Sequence, residues 1–184
     1  MRIIRIFPFL FLAVFLSACG STSNIKSKDQ SASIPDFSHY NRVIVKDFTN
    51  GVKGKSKNKM AAGKIFADII AKNIKAEKAF DIVERNTESE EHALIIEGKI
   101  TQLEEGSPFA RMMIGFVGNS HFDAEVQFRD NQTKELLANI DVNKMSWPLG
   151  GVISASQNVE SHMTSAASKI CCECKKAKKA KNNI

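Results

Sequence analysis

The sequence predicts an α+β fold, a two-layer sandwich in which a mixed, largely antiparallel five-stranded sheet carries two helices in the order β-α-β-β-β-β-α. Two segments alternate strictly: Phe122, Ala124, Val126 and Phe128 against Asp123, Glu125, Gln127 and Arg129, then Leu136, Ala138, Ile140 and Val142 against Asn139, Asp141 and Asn143. A period of two gives each one apolar and one wet face. Asp130 to Lys134 joins them at hairpin length, so they are antiparallel neighbours. Two further segments repeat apolar residues at the period of a helix. The whole has the size of one domain with one core, from residue 37 to residue 170.

The elements follow in order. Arg42 to Phe48 is β-branched on both faces and reads as an inner strand. Ala61, Ile65, Ile69, Ile70 and Ile74 recur at helical spacing from Asn58 through Lys75, which predicts a helix with one face on the sheet. Phe80 to Glu84 is a short strand, and Ala93 to Leu103 a longer one, buried in its first half. The two alternating strands come next. A closing helix from about Ser154 turns Val159, Met163, Ala166, Ala167 and Ile170 inward.

Ahead of the domain, Arg2 and Arg5 precede an apolar run from Ile6 to Leu16 that ends in Leu16-Ser17-Ala18-Cys19. Charge, a short apolar segment and small residues make an export signal over residues 1–18, too short to span a bilayer. The ending resembles a lipobox, which implies that Cys19 receives a diacylglycerol and becomes the mature amino terminus. Two or more acyl chains anchor stably. Gly20 after the cysteine points to the outer membrane, with the protein facing the periplasm. Residues 19–36 are Ser- and Lys-rich and read as a tether that reaches roughly 20 to 25 Å as a flexible coil.

Losing Arg2 and Arg5 leaves 24 basic against 20 acidic residues, a net charge of +4. The excess gathers in a tail, residues 171–184, where Lys175, Lys176, Lys178, Lys179 and Lys181 offer a contact with anionic lipid or lipopolysaccharide. Nucleic acid is not the partner of an exported chain. Cys171, Cys172 and Cys174 share that tail, and an oxidising compartment permits an intermolecular disulfide there. The alternative is that they are incidental tail residues.

Residues that could carry chemistry are sparse. Thr49 to Ser56 ends in Gly-Lys-Ser between a strand and a helix, but a phosphate-binding loop needs glycine where Thr49 stands. His39, His92, His121 and His162 are scattered without metal-site spacing. Neither a nucleophile elbow nor a nucleophile with its base is visible. The expectation is no enzyme, no metal and no cofactor.

Two glycine-flanked apolar stretches stand out: Phe109 to Gly118, which includes Arg111, Met112, Met113 and Phe116, and Trp147 to Ile153. As loops they would expose apolar surface, which marks a partner or a membrane. They could equally cover the ends of the core.

Val43 to Asn50, Phe80 to Arg85 and Ala93 to Ile100, with Arg111, Gly115, Gly118 and the later strand pair, resemble an uncharacterised family of bacterial lipoproteins, domain of unknown function 4410. The resemblance spans Tyr40 to Ile170. More distantly the pattern is similar to the periplasmic domain of the curli secretion channel, to accessory lipoproteins of exopolysaccharide export and peptidoglycan synthesis, and to the small domain of the Tol-Pal propeller protein. It implies assembly or binding in place of catalysis. Unlike the curli channel, this chain has no pair of long alternating segments that would build a pore. The functional expectation is a membrane-anchored envelope lipoprotein that self-associates or docks on another envelope protein. A lipid or glycan carrier would instead need a deep apolar pocket, and a cell-wall hydrolase paired carboxylates or a Ser/His pair.

Overall fold

The structure, a computed structural model, describes residues 26–27, 35–52, 57–114, 117–146 and 151–179, with only the backbone of residues 26, 27, 57–60 and 111. The signal, Cys19, the Arg111 side chain, Phe116 and Trp147 lie outside the described residues.

The fold is α+β, with strands β1 (Lys26–Ser27), β2 (Arg42–Val45), β3 (Thr49–Asn50), β4 (Ile82–Arg85), β5 (Ala93–Glu104), β6 (His121–Asp130) and β7 (Leu136–Met145). In space they run β1-β7-β6-β5-β2-β4, with β3 on β5. The long ladders, β5 with β6 and β6 with β7, are antiparallel; β2 pairs parallel with both β4 and β5. Two strands beyond the expected five are the two-residue pairings β1 and β3, too brief to leave a period in the sequence.

Helices α1 (Lys57–Ala76) and α4 (Val159–Lys179) lie side by side on one face, and two short helices, α2 (Pro108–Ile114) and α3 (Gly151–Ser156), join the expected pair. Phe122, Ala124, Val126 and Phe128 point under them, while Glu125 on the opposite face is exposed, as the alternation requires. Their burial, with Phe66, Ile70, Ile74, Met163 and Ile170, makes one continuous core.

On α1 the buried stripe is Ala62, Phe66, Ala67, Ile70 and Ile74, rotated from the expected one: Ala61 and Ile65 are exposed. The cause is close approach. A Cβ on Gly63 would lie 1.9 Å from the Phe48 carbonyl oxygen, so the helix rests directly on that backbone and Phe66 fills the space beside it.

The closing helix is two helices. Asn158 caps α4: its Oδ1 accepts the Ser161 N–H at 2.8 Å and its own N–H is bonded by Ser161 Oγ at 3.0 Å, a reciprocal arrangement that starts a new helix. At the far end α4 runs on to Lys179, past the expected limit at Ile170, because Cys171, Cys174 and Ala177 continue its buried stripe. The Phe37 N–H donates to the Ala177 carbonyl at 3.0 Å and tethers the domain's first residues there. Residues 171–179 therefore belong to the domain and not to a tail.

Candidate docking surface

The sheet has two ends of opposite character. At one, β5 finishes at Glu104, β6 starts at His121 and β7 finishes at Met145. The loop that leaves β5 closes on itself, with the Ser107 N–H donating to the Gly118 carbonyl at 2.8 Å. Gly106 and Gly118 make that closure with φ of 65° and 74°, and a Cβ on Gly106 would sit 2.1 Å from the Gly118 oxygen. Helix α2 rides on this closed loop and packs against α3.

The described parts of the two glycine-flanked stretches, residues 109–114 and 151–153, thus come together in short helices. Phe109, Met113, Ile114, Val152 and Ile153 are each more than half exposed, and Met112, Val117 and Met145 are exposed as well. Large apolar side chains exposed near one another mark a surface that meets a partner or a membrane.

Beneath this end the structure forms a contact that no pattern in the sequence signals. Ser120 Oγ lies 2.9 Å from His162 Nε2 and donates to the Gln157 carbonyl at 3.1 Å. That direction leaves the imidazole N–H as donor to Oγ. The hydroxyl proton points at a backbone oxygen, and Ser120 is fully buried. The pair braces the start of β6 against the α3–α4 junction. With its partners 42 positions apart, spacing could not announce it.

At the opposite end β6 finishes in Asp130, a buried carboxylate. Its Oδ2 accepts the Tyr40 hydroxyl at 2.7 Å and lies 2.5 Å from His92 Nε2; its Oδ1 accepts the N–H groups of Gln132 and Thr133, each at 2.8 Å. Burial alone would raise the carboxyl's pKa, but the Thr133 N–H, the Tyr40 hydroxyl and His92 outweigh it and hold it well below the ordinary carboxylate range. Burial and the neighbouring Asp130 push the Tyr40 phenol up. His39 stacks on His92 with ring centroids 5.5 Å apart, so two histidines that are remote in sequence meet here. Arg42 beside them pairs with Glu84 and, at 2.6 Å, with Glu91. Among the described residues no three His, Cys, Asp or Glu side chains are grouped to hold a metal.

Three of the five lysines expected to form a free basic tail are engaged at this polar end, and Lys181 lies outside the described residues. Lys175 pairs with Glu77 at 2.6 Å and Lys176 with Glu173 at 2.8 Å, while Lys178 donates to the carbonyls of Ser38 and Tyr40. Cys171 and Cys174 are buried free thiols, which does not fit an intermolecular disulfide through either. Burial lifts the Cys171 thiol to about 11 and raises that of Cys174 further. Cys172 is part-buried and, unlike its two neighbours, stands in a disulfide. It borders a hollow of about 420 Å³ between α1 and α4, lined by Ala76, Cys171 and Ser168 as well as by Glu77, Lys175 and Lys176. Among the described residues no helix is long and apolar enough to cross a membrane.

Residues 22–150 match the family described as "Domain of unknown function (DUF4410)". No curated protein matches the chain. Among solved structures the chain is similar to the PelC dodecamer from Paraburkholderia phytofirmans, with a TM-score of 0.57 at 12% identity, covering 84% of this chain and 98% of that one. A singly substituted form of the same dodecamer gives 0.57 at 13% identity with the same coverage. A Xanthomonas campestris protein of family DUF330 gives 0.46 at 9% identity, over 74% of this chain and 87% of that one. At these identities the PelC likeness establishes a shared fold.

Proposed function

For a chain that belongs to the domain of unknown function 4410 family, we propose a lipid-anchored envelope protein that works by binding and assembly and not by catalysis, docking through the apolar end built by α2 and α3. Cys19 is its acylated terminus, and the outer membrane, on the periplasmic side, is its place. The observation that carries the reading is the run of exposed apolar side chains from Phe109 to Ile114, continued by Val152 and Ile153. A domain in water gains by covering such a surface, at roughly 25 cal/mol per Å².

Two features support binding over hydrolysis. The one Ser/His pair among the described hydrogen bonds is enclosed and aims its proton at a backbone carbonyl, and the buried carboxylate Asp130 is occupied by structural donors. The PelC structures that share the fold are dodecamers, which favours self-association as the form of assembly. The test is the mass of the acylated protein, extracted from its own membranes in mild detergent, by light scattering with detergent subtracted. A homo-oligomer of defined size is expected. A monomer that also captures no neighbour on in-cell crosslinking would overturn the reading.

A further inference from the structure

We infer that the disulfide at Cys172 is made with Cys19, so that the sulfur that takes the lipid anchor has a second, exclusive state in which the domain itself holds it. The inference rests on the reading of Cys19 as the acylated terminus and adds what controls it.

The cysteine count carries it. The chain has four, Cys19, Cys171, Cys172 and Cys174. Cys171 and Cys174 are free and buried, while Cys172 stands in a disulfide. A bond within one chain therefore leaves Cys172 a single partner, Cys19. The reach allows it. Lys26 pairs with Asn139 of β7, and α4, which bears Cys172, packs against β7. The seven residues from Lys26 back to Cys19 span at most about 25 Å when extended, well beyond the roughly 10 Å between packed layers of secondary structure.

The local setting explains why this thiol, of the three on α4, is the one that bonds. Cys171 and Cys174 continue the buried stripe of the helix, where burial raises both thiols and withholds the thiolate that attacks a disulfide. Cys172 is part-buried at the edge of the hollow between α1 and α4, beside Asn73, Ala76 and Ser168. Gly20, Ser21, Thr22 and Ser23, which follow Cys19, are small and uncharged and suit a hollow of about 420 Å³.

Forming the bond takes two protons and two electrons from the Cys19 and Cys172 thiols. A protein disulfide of an oxidising compartment accepts them and becomes a dithiol; a dithiol reductant reverses the step. Acylation makes a thioether on the same Cys19 sulfur, and one divalent sulfur cannot carry both bonds. Cys172 thus decides which unacylated chains are open to the anchor.

Full-length protein is produced in its own envelope with and without a diazene thiol oxidant, free thiols are blocked with N-ethylmaleimide, and the chain is digested without reduction. A peptide pair joining Cys19 to Cys172 is expected in the unacylated fraction and absent from the acylated one. With oxidant, the acylated share is expected to fall about twofold or more in the native chain and to hold in Cys172→Ser. Cys172 paired with a second copy, Cys172 free in the unacylated chain, or an equal response of both chains overturns the inference. Acylation of Cys19 with no such peptide pair overturns the inference and leaves the anchor reading standing. A Cys19 that carries no acyl group even in the reduced chain overturns the anchor reading and, with it, the control inferred here.

Discussion

Where β6 ends, in Asp130, the protein has paired most of its polar groups; where β6 begins, at His121, it has left apolar groups uncovered. At the first end a carboxylate accepts from a phenol and lies against an imidazole on which a second imidazole stacks, an arginine with its Nε unpaired binds two glutamates, and Lys178 of α4 donates to carbonyls beside them. At the second, a closed glycine loop lifts an apolar helix into the open against another. One sheet and one core support both. The contrast teaches where stability and docking reside: substitutions at the matched end should lower stability and spare docking, and substitutions at the bare end the reverse.

The largest effect is expected from Asp130→Ala, which removes the acceptor of four hydrogen bonds from a buried site. Groups left unpaired in that way cost about 3 kcal/mol. Urea unfolding should show the loss, while oligomer mass per folded protein stays unchanged. The same carboxylate sets a pH dependence. Its folded pKa lies below the unfolded value, so its contribution is fully present above about pH 4 to 5 and is lost as pH falls, because the unfolded chain then takes up the proton first. Acid titration of stability should be steeper in the native protein than in Asp130→Asn.

A smaller cost, about 1 to 2 kcal/mol, is expected for Ser120→Ala, which takes from His162 and the Gln157 carbonyl the hydroxyl that joins them. This substitution sharpens the comparison, since the brace lies directly beneath the apolar end. If the brace holds that end in place, oligomer mass should fall along with stability. Loss of stability alone would confine the brace to folding.

Much of this was legible in the chain. The alternation of β6 and β7 gave their faces and their partnership, and the inward set of α4 from Val159 to Ile170 is buried as read. The apolar stretches were legible as apolar but not as exposed, since the same composition would serve to cover the ends of the core. What escaped detection depends on distance in sequence. Tyr40, His92 and Asp130 meet through 90 and 38 residues of separation, which no periodicity encodes. The stripe on α1 was misplaced because isoleucines outweigh alanines by hydrophobicity, whereas contact with the Phe48 backbone selects small residues. The tail was misjudged for a related reason: lysines look solvated until a glutamate or a carbonyl from another element comes within reach, as Glu77 and Tyr40 do.

The smallest change in stability should accompany the largest loss of docking. Met113 and Ile153 are 66% and 71% exposed, so exchanging both for serine removes little buried surface and should alter the unfolding free energy by no more than about 0.5 kcal/mol. Yet the same pair takes two apolar side chains from the centre of the bare end, and contact there should weaken severalfold, at roughly 1 kcal/mol for each large side chain withdrawn. Unfolding curves that superimpose on those of the native protein, together with a loss of oligomer mass, would separate the two ends as the comparison requires. An equal loss of stability would mean that α2 and α3 complete the core, and the distinction between the ends would fail.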